Sequence, residues 1–267
     1  MSGVVNGKLY AIGGTNGSVS YDHNEVYTPG DLWLTKSDMP TAQAELAAAV
    51  VGGKLYALGG SLDGNPIATS HAYDPGTNRW TSRAPMTEAR AGSNGAGVIN
   101  GIVYVPGGRD ASNVYRNSLF AYNPGTNTWS QKANMPVASG CGGSGVIGGH
   151  LYVYAVCLAD GRFQPGLYVY NPATNSWGGR ISAPFHRFPA VAVVNGKLYL
   201  AGGLTSGGSA SSYDPATGQW TSLSPMSFER QSATAVGLNG LLYVMGGHAA
   251  FGDVGTVEVY DPGTRQW

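Results

Sequence analysis

Short apolar runs separated by two-residue turns recur along the whole chain of 267 residues. The second copy shows the pattern most fully, with the apolar run 47–51, the pair Gly52-Gly53 and a second apolar run, 54–58. Two such runs around a two-residue turn predict a β-hairpin. Asn-Gly stands at this turn in four other copies, and this pair suits the positive φ angles of a type I′ turn. The pattern predicts antiparallel strands throughout, and no segment is predicted to be helical.

Each copy then continues through a glycine pair, a variable loop, a third strand, a turn such as 74–77 and a fourth strand with a tryptophan. The six tryptophans are spaced by 47, 49, 48, 43 and 47 residues: Trp33, Trp80, Trp129, Trp177, Trp220 and Trp267. A repeat of about 40 to 50 residues built of strands predicts a propeller. The glycine pair is expected to let backbones approach closely, and the tyrosine and tryptophan rings to fill the space between blades. Only the fourth copy lacks the pair, with Tyr154-Ala155 in its place.

The repeat resembles the kelch motif, in which an apolar strand, Gly-Gly, an aromatic residue ahead of Asp-Pro and a later tryptophan follow one another. The resemblance covers the whole chain and implies an all-β, six-bladed kelch β-propeller with four antiparallel strands per blade. The expected organisation is a single domain, 1–267, with blades at about 1–38, 39–85, 86–134, 135–182, 183–225 and 226–267. Because each blade uses consecutive residues, blades one and six are expected to pack without a shared sheet.

Composition narrows the classes of partner. Fifteen basic and fifteen acidic residues give zero formal net charge, which disfavours nucleic acid and anionic membranes as partners. No apolar run approaches the length of a membrane span. The two cysteines are too sparse for a zinc site, and no cofactor or metal is expected. The chain is expected to be a monomer.

Function is expected where the copies differ, and the entry to each first strand is one such stretch. Counting back from the hairpin turn, the place nine before it holds Gln43, Ala91, Ser139, His186 and Arg230, and the place seven before it holds Glu45, Ser93, Cys141, Phe188 and Ser232. Arg90 precedes Ala91. The kelch resemblance implies that arginines and serines at this entry bind peptides or sugars. The alternative is that the arginines tie blades together by hydrogen bonds to neighbouring carbonyls.

The loop after each glycine pair is the second variable stretch, and the resemblance places it on the same face. Variable loops on a repeated scaffold are the usual place for binding. The candidates are Asp63, Asn65, Arg109, Tyr115, Arg116, Arg162, Phe163, His248 and Phe251. The alternative for each is an ordinary solvated loop residue.

The two cysteines lie near each other in the fourth copy. Around the Gly148-Gly149 turn a regular hairpin pairs Cys141 with Val156 and Cys157 with Gly140. Because a diagonal offset rarely suits a disulfide, two free thiols are expected. Cys141 and the nearby Tyr154 are counted among the binding candidates. A copper site is disfavoured, since two convergent imidazoles are missing.

The favoured function is a recognition module that binds a protein segment or a glycan. The alternative is a carbohydrate-active enzyme such as a sugar mutarotase or lyase, in which Glu45, Arg90 and Arg230 would be the catalytic groups. A third possibility is an engineered or structural propeller scaffold without a ligand. Exposed aromatic side chains around an open surface would favour a protein partner, and convergent Glu and Arg side chains would favour the enzyme.

Overall fold

A computed structural model describes residues 1–30, 32–204, 208–250 and 252–267. Within these residues every regular element is a β-strand, and no helix occurs. The predicted all-β class is therefore confirmed. The chain divides into two compact units, Met1–Gly140 and Cys141–Trp267. Each unit contains blades made of consecutive antiparallel strands.

The first unit contains blades 1 to 3. Blade 1 has four strands, β1 (Ser2–Val5), β2 (Lys8–Thr15), β3 (Ser20–Tyr27) and β4 (Trp33–Thr35). Blade 2 has a four-stranded sheet and a small ribbon, and its strands are β5 (Ala47–Val51), β6 (Lys54–Leu58), β7 (Ser61–Leu62), β8 (Asn65–Pro66), β9 (Ser70–Asp74) and β10 (Arg79–Ser82). Blade 3 has four strands, and a two-residue strand follows it: β11 (Gly97–Ile99), β12 (Ile102–Pro106), β13 (Leu119–Asn123), β14 (Thr128–Lys132) and then β15 (Ser139–Gly140).

The second unit contains blades 4 to 6. Blade 4 has five strands, β16 (Gly143–Ile147), β17 (His150–Leu158), β18 (Phe163–Asn171), β19 (Ser176–Trp177) and β20 (Ile181–Ser182). Blade 5 has four strands, β21 (Ala190–Val194), β22 (Lys197–Ala201), β23 (Ala210–Asp214) and β24 (Gln219–Leu223). Blade 6 has a three-stranded sheet and a ribbon, with strands β25 (Thr234–Leu238), β26 (Leu241–Met245), β27 (His248–Ala249), β28 (Gly252–Asp253) and β29 (Val257–Tyr260).

The hairpins have the predicted register. In blade 2, Ala47 pairs with Leu58 and Val51 with Lys54, so Gly52-Gly53 forms the two-residue turn. Asn residues at four equivalent turns have φ between 48° and 52°, as a type I′ turn requires. The fourth strand expected in blade 6 is reduced to one bridge between Asp261 and Gln266.

Aromatic rings connect neighbouring blades as predicted. A tyrosine of the second strand packs on a third-strand tyrosine of the next blade, with Tyr56 and Tyr122 centroids 5.9 Å apart. The indole of Trp129 lies 5.0 Å from the Tyr122 ring, and its Nε1–H donates to the Ala84 carbonyl at 2.9 Å. Equivalent indole hydrogen bonds occur at Trp80, Trp220 and Trp267. The repeated aromatic residues therefore pack the core between blades.

The glycine pairs allow close backbone contact between blades. The amide of Gly108 donates to the Ser139 carbonyl at 2.9 Å, and a Cβ on Gly107 would lie 2.4 Å from that oxygen. Gly107 also has φ +67°, which L side chains rarely adopt. The same amide contact joins Gly14 to Gln43, Gly60 to Arg90 and Gly203 to Arg230. A side chain at the first glycine would push the next blade away.

Blade 4 replaces this backbone contact with a side chain. Its hairpin pairs Gly143 with Tyr154, so Ala155 and Val156 occupy the glycine-pair positions, rather than Tyr154 and Ala155 as the sequence suggested. The Tyr154 hydroxyl lies 2.8 Å from both the amide and the carbonyl of His186. Burial of Tyr154 raises the pKa of its phenol, which stays neutral and able to donate.

The close approach at Gly107 can be tested against a glycine that has the same backbone conformation and free space. Gly101 has φ +77°, and a methyl group on its Cα would meet nothing within 4 Å, whereas the methyl group of Gly107→Ala would meet the Ser139 carbonyl. We expect Gly101→Ala to lose about 1–2 kcal/mol from its left-handed φ alone. Gly107→Ala should lose about 1–3 kcal/mol more because of the clash. Denaturant unfolding measures both, and equal losses would contradict the contact.

Candidate functional site

The strand entries form a repeated frame of three residues each, here called the entry triplets: 43–45, 90–92, 139–141, 186–188 and 230–232. The second residue of a triplet bridges to the first residue after the glycine pair of its own blade, as Ala44 does with Ser61 and Arg187 with Leu204. In blades 2, 3, 5 and 6 the entry and the post-glycine loop thus lie together at one edge of the blade, and this edge is called the loop edge in all blades. The hairpin turn lies at the other end of these strands.

The first residue of each triplet is buried and polar. Its carbonyl receives the inter-blade hydrogen bond described above, and its side chain bonds within its own blade in four of the five triplets, Ser139 being the exception. Gln43 donates to the Gly59 carbonyl at 2.5 Å, and Arg230 donates to the Gly246 carbonyl at 3.1 Å. His186 Nδ1 lies 2.8 Å from the Gly202 carbonyl, so this nitrogen carries the proton. Ser139 accepts from Asn94 at 3.1 Å.

The two entry arginines bond almost entirely within the protein. The Arg230 side chain is fully buried, and it pairs with Glu258 at 2.7 Å and donates to the Thr256 carbonyl at 2.9 Å. The Arg90 side chain is 2% exposed and donates to Glu88 at 2.5 Å and to Ser118 at 3.0 Å. As in the alternative stated for them, both guanidinium groups donate to nearby carbonyls, but all these partners belong to the same blade, so the arginines brace each entry within its own blade and do not tie blades together.

Blade 3 contains one extra residue between its entry and its first strand. Ala91 bridges to Arg109 as Ala44 does to Ser61, although counting from the hairpin turn placed Ala91 beside Gln43. Arg90 is therefore the structural equivalent of Gln43, and the counted alignment was wrong by one residue. Gly92 and Gly95 both have positive φ and accommodate the insertion. Ser93 lies in this bulge, with its hydroxyl 3.4 Å from the Gly95 carbonyl.

The third residue of each triplet has positive φ, and within each unit the third residues of neighbouring blades are joined by a backbone hydrogen bond. In the first unit, the Gly92 amide donates to the Glu45 carbonyl at 3.0 Å. In the second unit, the Phe188 amide donates to Cys141 at 3.2 Å and the Ser232 amide donates to Phe188 at 2.9 Å. Glu45, Cys141, Phe188 and Ser232 have φ between 52° and 61°. The backbone here turns away from a regular strand.

Cys141 and Cys157 form a disulfide, so the expectation of two free thiols was wrong. Their Cα atoms are 5.6 Å apart, within the usual range for a disulfide. The regular ladder ends at Gly143, and Cys141 has φ +61°, so the diagonal offset of a continuous hairpin does not apply. The bond connects the entry of blade 4 to the end of its second strand.

Glu45 and Arg109 form the main charged contact of the first unit at the loop edge. The Arg109 guanidinium donates to Glu45 Oε2 at 2.5 Å, to Asn113 at 2.5 Å and to the Gly64 carbonyl at 3.1 Å. The Glu45 side chain is 43% exposed. Its carboxylate bonds to this loop arginine, whereas Arg90 bonds to Glu88.

Most other candidates have partners within their own loop. Arg116 pairs with Asp110, and although desolvation opposes the shift, hydrogen bonds from the Val114 amide and Arg116 lower the pKa of Asp110. His248 Nδ1 lies 3.1 Å from an Asp253 oxygen. The remaining loop contacts join Tyr115 to Arg109 through a backbone bridge, Asp63 to the Ser20 amide and hydroxyl, Asn65 to the Asp63 carbonyl and Arg162 to Asp160. Phe251 lies outside the described residues.

The described residues contain one cluster with three possible metal ligands, Asp22, His23 and Asp38. All three side chains are 46% to 63% exposed, and exposed acidic groups of this kind occur commonly without a metal. A shallow groove lies apart from the loop edge of blades 5 and 6, lined in part by Lys197, Tyr199, Tyr260 and Arg265. Neither feature includes a candidate residue from the sequence.

A family model for the Kelch motif matches five stretches of the chain, residues 2–40, 44–87, 90–136, 187–227 and 229–267. The chain belongs to the kelch-repeat family. The unmatched stretch corresponds to blade 4, which lacks the glycine pair. A kelch repeat is thus recognisable in five of the six blades by sequence, and in blade 4 by its strands.

Curated kelch proteins match short parts of the chain. Kelch-like protein 25 of Rattus norvegicus is 36% identical over 83 residues, which is 30% of this chain and 14% of that protein. Kelch-like protein 23 of Homo sapiens is 39% identical over 75 residues, 27% of this chain and 13% of that protein. A solved structure, "Structure of YjhT", has a TM-score of 0.80 at 16% identity and covers 97% of this chain and 93% of that chain. The fold is therefore a six-bladed kelch β-propeller, as predicted.

The acidic partners of the entry arginines in this kelch chain were not predicted from the sequence. Glu258 lies 28 residues from Arg230 in the third strand of blade 6, so no local signal links them. Glu88 lies two residues before Arg90, so the sequence spacing could have indicated this ion pair. Arg187 contacts the ring of its sequence neighbour Phe188 and also that of Phe163, which only the fold brings close. In the described chain, no helix is long and apolar enough to cross a membrane.

The disulfide gives a redox test of blade 4. Because it closes a loop of 16 residues, we expect its loss to reduce the free energy of unfolding by about 2–4 kcal/mol. Thermal unfolding with and without dithiothreitol measures the loss. The double variant Cys141→Ala/Cys157→Ala should unfold like the reduced wild type and should not respond to reductant. A wild type whose unfolding ignores reductant would contradict the bond.

His186 gives a pH test of the buried frame. Burial lowers the pKa of its imidazole below 6.5, although the hydrogen bond with Gly202 opposes the shift. The unfolded chain therefore binds the proton first, so the stabilisation is complete above pH 6.5 and decreases as the pH falls below it. His186→Gln should unfold with a shallower pH dependence between pH 7 and about pH 5, because Gln43 makes the equivalent carbonyl bond without a titrating group. An unchanged dependence would contradict this assignment.

Proposed function

We propose that this kelch propeller is a recognition module that binds a protein segment through its loop edge, as a monomer. The observation that carries the proposal is the location of exposed apolar side chains. Of the nine large apolar residues exposed in the described chain, six lie between the second and third strands of a blade, at the start of the third strand of blade 4, or in the segments before strand entries: Val19, Leu62, Val114, Phe163, Phe185 and Phe228. Exposed apolar groups collected in one kind of segment are typical of interaction sites.

The frame beneath these side chains supports binding by a rigid surface. The first residues of the entry triplets are buried and hydrogen-bonded, so the loops are preformed. They therefore lose little conformational entropy when a partner binds. Phe163, Phe185 and Phe228 are 43% to 53% exposed. Aromatic side chains of this kind dominate the energetics of protein interfaces. Each unit also carries charged groups in these loops, Arg109 and Arg116 in the first and His248 in the second, which suit the polar rim of an interface.

The carbohydrate-active enzyme receives less support. Its proposed acid, Glu45, bonds to Arg109, and its two proposed arginines bond to their own carboxylates inside the frame. A proton-transfer reaction needs an acid and a base that reach the substrate. The glycan partner remains an alternative for the same loop edge, and the experiment below distinguishes it.

Selection from a random peptide library tests the proposal. We expect selected peptides to bind the wild type and to bind Phe163→Ser and Phe228→Ser at least about tenfold more weakly, because each change removes an exposed aromatic anchor. Leu34→Ser is the matched control, since Leu34 is 57% exposed on the outer strand of blade 1. It should retain wild-type affinity in fluorescence anisotropy.

Two outcomes would reject the proposal. One is peptide binding that Leu34→Ser weakens as much as the two loop variants do, which would place the site elsewhere. The other is a failed peptide selection together with saturable binding on a glycan array, which would identify a carbohydrate module instead.

A further inference from the structure

Arg187 lies between aromatic rings at the loop edge of the second unit. Its Cζ atom is 4.2 Å from the centroid of the Phe163 ring and 5.1 Å from that of Phe188. Both distances are within the range for a cation–π contact. The side chain is partly buried, and its Nε–H is shielded from solvent without a hydrogen-bond partner.

The other described arginines of the loop edge have polar partners. Arg90, Arg109, Arg116, Arg162 and Arg230 each pair with a carboxylate. In the described part of the chain, the guanidinium of Arg187 makes no hydrogen bond or ion pair. The nearest carboxylate in sequence to Phe163 is Asp160, and it already bonds to Arg162 at 2.6 Å. The charge of Arg187 therefore has no internal counterion in this region.

The geometry of a guanidinium explains what this arrangement can bind. Ring contacts use its flat faces, whereas its N–H donors point outward within its plane. A carboxylate matches two of these parallel donors and forms a bidentate, charge-assisted pair. Because Phe163 and Phe188 already restrict the side chain, less conformational entropy is lost when the ligand binds.

We infer that Arg187, held by Phe163 and Phe188, is a carboxylate-binding site that receives an acidic side chain of a bound protein segment. The inference rests on the proposed function and adds a ligand class to it. The apolar rings exclude water from one side of the ion pair and strengthen it. The partner is thus expected to carry Asp or Glu at the position that meets blade 4 and blade 5.

Nuclear magnetic resonance titration tests the site with a defined probe. The probe is the peptide Ac-Gly-Glu-Gly-NH2, and its neutral isostere Ac-Gly-Gln-Gly-NH2 is the control. We expect the Glu peptide to shift the amide resonances of Arg187, Phe188 and Leu204 in a saturable way, and the Gln peptide to bind at least about tenfold more weakly.

Three variants locate the effect. Arg187→Gln should abolish the saturable shifts at Phe188 and Leu204. Arg162→Gln is the matched control because it removes one positive charge beside Phe163 from a side chain that is 70% exposed, and it should retain them. Phe163→Leu should weaken binding several-fold while leaving the arginine in place. Spectra of the unliganded variants establish that each is folded.

Three results would overturn the inference: no saturable shift with the Glu peptide, equal shifts with both peptides, or wild-type binding by Arg187→Gln. These results are separate from those for the proposed function, because the library selection does not require a carboxylate. Selected peptides that bind the loop edge regardless of Arg187 would support the proposed function and reject the carboxylate site.

Discussion

The architecture depends on one short backbone contact, the amide of a second glycine donating to the carbonyl that begins the next entry triplet. The contact requires two residues without Cβ atoms and a left-handed backbone, as at Gly107 and Gly108. Once it forms, it fixes where the next strand begins. The tyrosine and tryptophan rings then fill the remaining space between the blades. Repetition of this contact makes short, individually weak sheets stable together.

The same frame explains why polar residues at the strand entries differ so much between blades. A glutamine, an arginine, a serine and a histidine occupy equivalent buried positions, and each finds a local hydrogen-bond partner. Variation at these positions therefore reflects several solutions to one structural requirement. The loops above them carry the exposed rings and charges. Binding properties can change in those loops while the frame remains intact.

The fold could be predicted from sequence because its signals are local and repeated. Turn pairs, glycine pairs and tryptophans lie at a regular spacing, so each copy supports the others. The candidate site was less predictable, because burial and pairing depend on distant residues. Arg90 looks like an exposed basic residue in the sequence, whereas the fold buries it, and Glu45 meets Arg109 across 64 residues. The disulfide was missed because a positive φ at Cys141 interrupts the regular ladder used to estimate it.

Blade 4 differs in kind from its neighbours, because a phenol oxygen replaces a backbone amide at the contact with His186. At the other contacts every residue except proline would retain the amide donor, but a Cβ atom at either glycine would meet a carbonyl oxygen of an entry triplet, as at Gly107 and Gly108. The contact made by Tyr154 disappears when a single nucleotide change exchanges tyrosine for a residue without the hydroxyl. The two kinds of contact are therefore sensitive to different changes. Inherited or engineered variation is tolerated least at the glycine pairs where it adds a Cβ atom, and in blade 4 where it removes one hydroxyl group.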